Sequence, residues 1–456
     1  MTSKAVSEFA ARTAIGPFGS RMKSDAYTYS GVPVIRGTNL TGGKVFSGEW
    51  VYVSEKTADD LSNCCVYPGD LVFPHRGAIG EVGIVPDQFP RYVMSSSLMT
   101  LSCDRSKAEP DYIYYFFKSA AGRHELLKNA SQVGTPGIGQ PLSTLRSIEV
   151  PLPPPSSQRV IAKILGDLDS KIDLNRRINQ TLEAMAQALF KSWFVDFDPV
   201  KVKIAAKAEG RDPLRAAMSI ISGKAEVELD TLPPEQYQQL AATAALFPDA
   251  MEESELGEIP KGWAFKSVAD IAEFTTGKVE VSSLTQDLYI STENMLENRA
   301  GITRATSLPS VATVPNFKVG HVLISNIRPY FKKIWMARFD GGRSADVLAF
   351  KPADFQWTEF VYNLMYQDAF FEFMTRTAKG AKMPRGDKNA IMGWRFPCPD
   401  EPLMVAFSAK LRPHYAYIDS LRSQNKSLSE LRDTLLPKLL SGELSVKTLA
   451  ESTGAA

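Results

Sequence analysis

The chain has 456 residues, of which 44% are hydrophobic and 23% are charged, and its formal net charge is +1. These values are ordinary for a globular protein of two or three domains, and they confine any nucleic-acid surface to a local patch. No apolar run approaches the roughly 18 residues of a membrane span, and the N-terminus lacks the apolar core of a secretory signal, so we expect a cytoplasmic protein without a membrane span. The cysteines and histidines show no metal-ligand spacing, so we expect no metal site.

Residues 1–155 are predicted to form a first mixed domain of strands and helices. The segment Val66–Phe73 has the pattern of a turn followed by a buried strand. The segment Asp111–Leu127 is apolar at helical spacing, which predicts a helix. A stiff, proline-rich connector, Pro151–Pro155, then leads out of the domain.

Residues 156–200 are predicted to form a long helix with a heptad seam. Apolar and amide side chains recur along it in steps of four and three residues: Ile161, Leu165, Leu168, Ile172, Asn175, Asn179, Leu182, Ala186 and Leu189. An aromatic cluster closes the segment, formed by Phe190, Trp193, Phe194 and Phe197. This spacing is typical of a helix that packs along another helix.

A second helix, predicted over residues 402–446, repeats the seam at a constant offset, since 411 − 165 and 425 − 179 both equal 246. Both helices carry an asparagine at the same seam position, Asn179 and Asn425. A buried asparagine lowers stability but fixes the register of paired helices, so we predict that these two residues set the pairing. The alternative is two separate amphipathic helices, each packed on its own domain.

Residues 259–401 repeat the first domain. The segment Phe317–Ile324 matches the strand at Val66–Phe73, and Trp357–Phe373 matches the aromatic helix of the first domain. The second domain begins near Trp263, whereas no tryptophan-containing strand precedes Gly16. We therefore expect the first domain to lack an edge element or to take one from the C-terminus.

Two further segments complete the chain. Residues 201–258 are rich in Ala, Glu and Lys and contain an acidic stretch, so they are predicted to be a partly helical surface insertion and linker. Residues 447–456 are predicted to be a disordered tail.

This order of segments predicts an α+β protein in which two α/β domains are separated by two long antiparallel coiled-coil helices, with a pseudo-two-fold internal repeat. Helices of about 30 residues would be ~45 Å long at 1.5 Å per residue, against ~34 Å for one turn of duplex DNA. Two similar domains held that far apart would suit two half-sites separated by a fixed gap.

Arg, Lys, Asn and Gln side chains provide the candidate DNA contacts, because they bind phosphates or base edges. Residues 261–397 hold 18 Lys and Arg against 13 Asp and Glu, a difference of +5. Two basic runs stand out in this domain: Arg328, Lys332, Lys333, Arg338 and Arg343, then Arg376, Lys379, Lys382, Arg385 and Lys388. The second-domain candidates are Asn326, Arg328, Lys332, Lys333, Arg343, Lys379, Lys382 and Arg385. The first-domain candidates are Arg36, Asn39, Arg76 and Gln132. The alternative for the charge runs is a solvated loop.

No catalytic residue is predicted. The sequence lacks a phosphate-binding loop, a dinucleotide fingerprint, a His-Glu-x-x-His motif and a Gly-x-Ser-x-Gly motif. The segment Asn326–Tyr330 faintly resembles the Asn-Pro-Pro-Tyr signature of amino-methyltransferases, but it lacks the first proline. Two alternative functions stay open at this point: a stand-alone DNA adenine methyltransferase and a rod-like scaffold that does not bind DNA.

Four stretches carry a resemblance to a known family: Pro151–Pro155, Ile172–Pro199, Leu256–Trp263 and Leu431–Leu444. With them the chain resembles the specificity subunit of type I restriction-modification systems over nearly its whole length. The resemblance implies two target recognition domains, over residues 1–155 and 259–401, and two helices that separate them. It also implies that this subunit reads a bipartite, asymmetric DNA site and performs no catalysis.

The same resemblance implies the partners. These would be double-stranded DNA, two methyltransferase (modification) subunits that bind S-adenosylmethionine, and restriction subunits that use ATP and Mg for translocation and cleavage. No cofactor is then expected on this chain. Trp193, Phe194 and Phe197 become candidates for docking a modification subunit, and the alternative is that they pack the helix end onto a domain.

Overall fold

A computed structural model describes residues 2–18, 22, 26–40, 42–44, 46, 48–131, 135–255 and 257–444. The chain divides into two compact units, the first comprising residues 1–175 and 423–456 and the second residues 176–422. Each unit therefore combines segments that are far apart in the sequence. The predicted C-terminal tail lies outside the described residues.

The first half of the chain alternates short strands and short helices. Its strands are β1 Ser3–Ala5, β2 Ala10–Ile15, β3 Val32–Ile35, β4 Val51–Val53, β5 Cys65–Val66, β6 Leu71–Pro74, β7 Gly83–Ile84, β8 Tyr92–Met94, β9 Leu98–Cys103, β10 Ala130–Ser131, β11 Gly137–Ile138 and β12 Glu149–Pro151. Its helices are α1 Val6–Phe9, α2 Glu55–Asp60, α3 Pro110–Lys118, α4 Ala120–Leu127 and α5 Pro141–Ser147.

The rest of the chain contains the two long helices, a group of shorter helices and a second set of strands. The helices are α6 Pro155–Phe194, α7 Asp198–Ala208, α8 Pro213–Ser222, α9 Pro234–Ala245, α10 Thr358–Tyr366, α11 Asp368–Thr377, α12 Lys388–Met392 and α13 Glu401–Ser441. The strands are β13 Met251–Ser254, β14 Gly257–Pro260, β15 Ala264–Ser267, β16 Ala272–Phe274, β17 Lys278–Glu280, β18 Tyr289–Ile290, β19 Thr313–Phe317, β20 Val322–Ser325, β21 Ile334–Met336, β22 Gly341–Arg343, β23 Val347–Pro352 and β24 Arg395–Cys398.

One four-stranded sheet has the same topology in both units. The first unit contains a sheet of order β2-β9-β6-β7, and the second unit contains its counterpart, β16-β23-β20-β21. Strands β6 and β20 are buried at every position, so each is the central hydrophobic strand of its sheet. The internal repeat and the mixed α and β fold class are thus confirmed.

The first domain has the edge strands that the sequence analysis expected it to lack. Strand β1 pairs antiparallel with β12, with Ser3 opposite Pro151, and β15 pairs with β24 in the same way, with Ala264 opposite Cys398. The expectation was wrong because a fully buried pair, Val6 and Phe9 on the short helix α1, anchors this segment where the second unit uses a tryptophan.

Each predicted aromatic helix is in fact two helices. The first breaks at Ser119, whose extended backbone separates α3 from α4, and its hydroxyl oxygen accepts a hydrogen bond from the N–H of Gly122 at 3.1 Å. Such a serine is a strong start signal for a helix. The second breaks at the extended Gln367, between α10 and α11. The apolar spacing continued across both breaks, so it hid them.

Residues 201–258 are not a linker. Helices α7, α8 and α9 pack into the hydrophobic core of the second unit through residues such as Val200, Met218 and Ala244. Lys203 is itself buried and donates a hydrogen bond from Nζ to the carbonyl oxygen of Phe247 at 2.5 Å. The sequence analysis expected helix in this segment but placed it on the surface, because the segment buries mostly alanine and isolated large side chains rather than a continuous apolar stripe.

The long helices α6 and α13 pair antiparallel within each unit. In the first unit, Arg432 forms an ion pair of 2.8 Å with Asp169. In the second unit, Arg422 forms one of 2.7 Å with Glu183, and the rings of Phe190 and Phe407 are 5.7 Å apart. As the residue number rises on one helix it falls on the other, so the predicted pairing is confirmed.

Asparagine side chains form part of the helix contact in the first unit. Asn175 is fully buried, and its Nδ2 donates hydrogen bonds to Oδ1 of Asn425 at 2.9 Å and to Oε1 of Gln424 at 2.6 Å. Asn425 in turn donates to the carbonyl oxygen of Ile172 at 3.3 Å. The register role of Asn179 and Asn425 stays a prediction, and the structure places Asn175 rather than Asn179 against Asn425.

This contact can be tested with a single and a double substitution. We expect Asn425→Leu to lower the free energy of unfolding by about 1 kcal/mol, because it leaves the buried amide of Asn175 with one hydrogen bond fewer. The double variant Asn175→Leu/Asn425→Leu should recover this loss, since both polar partners are replaced together. Chemical unfolding of the three chains measures the effect, and a double variant less stable than Asn425→Leu would contradict it.

One tight turn is built differently in the two units. In the first unit, the carboxylate of Asp70 accepts a hydrogen bond from the N–H of Tyr67 at 2.9 Å. In the second unit, Nδ1 of His321 accepts one from the N–H of Lys318 at 3.1 Å. Burial lowers the pKa of His321 to about 4, which keeps Nδ1 free to accept.

The histidine predicts a pH dependence of stability. Between pH 6.5 and 4 the unfolded chain binds a proton at His321 that the folded chain does not. The contribution of neutral His321 to the free energy of unfolding is therefore complete above pH 6.5 and is lost as the pH falls towards 4. We expect His321→Asp to keep the turn, as Asp70 does, and to reduce the loss of stability between pH 7 and pH 4.5 by about 2 kcal/mol. Thermal unfolding at the two pH values measures this, and an equal loss in both chains would refute it.

Candidate nucleic-acid interface

Two loops of the second unit, residues 326–333 and 379–387, lie side by side. The N–H of Arg328 donates to the carbonyl oxygen of Pro384 at 2.8 Å, and the N–H of Gly386 donates to that of Asn326 at 3.0 Å. The first loop follows the buried strand β20, and the second follows helix α11. The fold thus joins most of the two basic runs of the sequence into one surface, which we call the paired basic loops.

The second of these loops has a closed base and an exposed tip. Lys379 and Arg385 exchange backbone hydrogen bonds of 2.8 and 2.9 Å across its base. Two ion pairs add to this closure, Lys379 with Asp387 and Arg385 with Asp346 at 3.1 Å. Lys382 is exposed at the tip, so its ammonium group can reach a phosphate.

Arg328 lies in the left-handed backbone region, with φ +50°. The matching residue of the first unit is Gly77, at φ +82°, and its N–H donates to the carbonyl oxygen of Pro136 at 2.9 Å, as that of Arg328 does to Pro384. An arginine in this conformation costs ~1 kcal/mol relative to a right-handed one. Such strain is concentrated at functional sites, which favours Arg328 as a contact residue.

The two lysines that follow are tied to the body of the second unit. Lys332 forms an ion pair of 2.6 Å with Asp368, which also binds Arg299 at 2.6 Å. Hydrogen bonds from these two cations lower the pKa of Asp368 to about 2. Lys333 donates to the carbonyl oxygen of Thr292 at 2.9 Å. Both lysines therefore hold the first loop in place as well as adding positive charge.

Three predicted contact residues are buried, and this structure contradicts their assignment. Asn39 is 1% exposed, and its Oδ1 accepts from the N–H of Arg36 at 2.9 Å. Arg343 is 6% exposed and donates to Val347 and Thr275, and burial lowers its pKa to about 10. Asn326 is also 6% exposed, beneath the paired basic loops. The sequence analysis chose these residues by type, which carries no information on burial.

The remaining first-unit candidates differ in their placement. Arg76 is exposed, directly before Gly77, and bridges to Gly137. Arg36 is half-buried and donates to the carbonyl oxygen of Glu49 at 2.6 Å. Gln132 lies outside the described residues. Arg76 is thus the first-unit candidate that the structure leaves accessible, within the described part of the chain.

The aromatic cluster at the end of α6 is not a docking surface. Trp193, Phe194 and Phe197 are 0%, 4% and 8% exposed. Their rings contact the rest of the second unit, with centroid distances of 5.1 Å from Trp193 to Phe247 and 5.0 Å from Phe194 to Phe407. The prediction of a docking role was wrong, and the alternative of packing onto a domain is correct.

The sequence analysis missed two exposed side chains on the paired basic loops. Tyr330 is 48% exposed and Met383 is 47% exposed. Tyr330 stood inside the segment that was inspected for catalysis, and Met383 stood inside the second basic run. The only signal available was a large apolar residue within a charged segment.

Comparison with known proteins finds related chains. A family model described as the type I restriction modification DNA specificity domain matches residues 18–184. The HindI specificity subunit of Haemophilus influenzae is 28% identical over 455 residues, which cover 93% of this chain and 97% of that subunit. These matches show that the chain is similar, over nearly its whole length, to specificity subunits of type I restriction-modification systems. The MjaIX specificity subunit of Methanocaldococcus jannaschii is 24% identical and covers 88% of this chain and 85% of its own.

A solved structure shares the fold of this chain. The S subunit of a type I restriction-modification system from M. genitalium superposes with a TM-score of 0.51 at 14% identity, covering 96% of this chain and 95% of that one. The described helices of this chain include none that is long and apolar enough to cross a membrane. Across the same described ranges, no three His, Cys, Asp or Glu side chains are grouped as metal ligands.

The left-handed arginine gives a test that separates binding from folding. We expect Arg328→Gly and Arg328→Ala to weaken duplex DNA binding equally, since both remove the guanidinium group. The glycine variant should be more stable than the alanine variant by up to about 1 kcal/mol, because glycine relieves the strain at φ +50°. Fluorescence anisotropy and thermal unfolding measure the two effects. Unchanged DNA affinity in the glycine variant would remove Arg328 from the interface.

Proposed function

We propose that this chain is the non-catalytic DNA-recognition and assembly subunit of a type I restriction-modification complex, and that it reads a bipartite, asymmetric site with one half-site for each unit. The observation that carries the proposal is the repeated topology. In both units a loop follows the central buried strand, β6 or β20, and its backbone is hydrogen-bonded to a second loop through a proline carbonyl. Two copies of one recognition architecture in one chain suit two half-sites.

The two loop pairs present different side chains, which supports two half-sites of different sequence. The second unit presents Arg328, Lys382 and Arg385, whereas the first unit has Gly77 at the position of Arg328 and presents Arg76 beside it. Arginine can bind guanine by two hydrogen bonds, and a lysine on a loop tip can neutralise a phosphate. Because the two units present different side chains from the same backbone frame, we expect the two half-sites to differ in sequence.

The partners follow from the same proposal. The complex would contain two modification subunits, which bind S-adenosylmethionine and methylate adenine, and restriction subunits, which use ATP and Mg for translocation and cleavage, all in the cytoplasm. Asn326, the first residue of the segment that resembles a methyltransferase signature, is buried. This burial favours a structural role for the segment over catalysis by this chain.

The proposal is tested by expressing the chain together with the modification subunit encoded beside it and mapping methylated adenines in the host genome. We expect a split motif, with two short specific sequences separated by a gap of fixed length. The matched control omits this chain, and the motif should then disappear.

Two results would contradict the proposal. A stable complex that adds no new methylation would favour a scaffold that does not bind DNA. Binding of S-adenosylmethionine by the purified chain alone, together with methylation in the absence of the modification subunit, would favour a stand-alone methyltransferase.

A further inference from the structure

Two large apolar side chains project from the paired basic loops. Tyr330 is 48% exposed and Met383 is 47% exposed. Tyr330 is two residues after Arg328 and Met383 is one residue before Pro384, and the backbones of Arg328 and Pro384 are joined by a hydrogen bond of 2.8 Å. Single exposed apolar residues are common on protein surfaces. Here two of them stand on adjoining loops that otherwise present cations, so the surface combines apolar and positive groups.

The backbone around Tyr330 is held in one conformation. Tyr330 lies in the short 3-10 turn Pro329–Phe331, between the left-handed residues Arg328 and Lys332, both at φ +50°. Its ring packs edge-on against Phe331 with centroids 4.8 Å apart. The ion pair from Lys332 to Asp368 anchors the end of the turn. The side chain is therefore presented from a turn that is already ordered before any ligand binds.

Met383 is also presented from an ordered loop. It is one residue from Pro384, whose carbonyl oxygen accepts the hydrogen bond from Arg328, and it lies within the loop that Lys379 and Arg385 close. The side chain of methionine is unbranched and flexible, so it can adapt to an irregular apolar surface. An ordered loop with a flexible apolar tip suits insertion into a narrow gap.

The first unit has no exposed aromatic residue at the position equivalent to Tyr330. The repeat aligns Tyr330 with Ile79, since Gly77 aligns with Arg328, and Ile79 is a partly buried residue packed against the core of the first unit. The exposed aromatic residue is therefore not required by the shared fold. It distinguishes the second unit.

We propose that Tyr330 and Met383 form an apolar wedge that enters duplex DNA at the half-site read by the second unit and unstacks one base step. Lys382 and Arg385 would hold the phosphates on either side of the step, and Arg328 would read a base edge beside it. Apolar side chains inserted between base pairs unstack them and kink the duplex, and methionine is among the residues used. An aromatic ring can replace part of the lost stacking. This inference rests on the proposed function.

The wedge is tested in the assembled complex with a duplex that contains its methylated motif. Single 2-aminopurine bases are placed in turn along both half-sites, because their fluorescence rises when stacking is lost. We expect a rise at one step of the half-site read by the second unit. The double variant Tyr330→Ala/Met383→Ala should abolish this rise and weaken binding about 10- to 100-fold, with the salt dependence of binding unchanged.

Two control variants separate the wedge from its surroundings. Lys382→Ala should keep the fluorescence rise but lower the slope of log K against log salt by about 1, the value for one lost phosphate contact. Phe355→Ala removes an aromatic ring of the second unit that is 62% exposed and lies outside the paired basic loops. Phe355→Ala should change neither the fluorescence rise nor the slope of log K against log salt.

The failure of the wedge can be distinguished from the failure of the proposed function. If the complex binds its motif specifically but no 2-aminopurine position brightens, the wedge is overturned and the proposed function stands. If the double variant still brightens the same step, the wedge residues are wrongly assigned. If the complex does not bind a specific motif at all, the proposed function itself has failed.

Discussion

The antiparallel pairing of α6 and α13 is the contact on which the architecture depends. The core of the first unit contains Ile161 and Leu165 from one helix and Leu439 from the other, and the core of the second contains Phe190 and Leu411 in the same way. Neither unit is complete without both helices, although they are more than 200 residues apart in the sequence. Polar contacts along the pair, from Asp169–Arg432 to Asn175–Asn425, give it a defined register.

The paired basic loops are held in place by the core of the second unit and by contacts between the loops. Strand β20 is buried at every position, so the loop that follows it begins from a fixed point. The backbone hydrogen bonds to Pro384 and Gly386, together with the ion pair from Lys332 to Asp368, then hold the loop in a conformation that contains two left-handed residues. The strain at Arg328 is sustained by these contacts. Exposed charge and exposed apolar surface are thereby presented in a fixed geometry.

The sequence predicted what depends on periodicity and failed where the outcome depends on tertiary contact. The seam residues, the repeat and the pairing of the helices followed from heptad spacing. The breaks at Ser119 and Gln367 did not, because the apolar pattern continues across them. Asn39, Asn326 and Arg343 have the right chemistry for DNA, yet they are buried. The packing of Trp193 against Phe247 required a subdomain that composition had assigned to a linker.

The central claim is that each unit reads its own half-site through its loop pair. The most direct test compares the methylated motif of a host that carries the native chain with that of a host that carries Arg328→Gly, the residue that the first unit uses at this position. We predict that one half of the motif becomes degenerate at one or two bases while the other half and the gap are unchanged. A motif intact in both halves, or degenerate in both, from a stable complex would contradict the account.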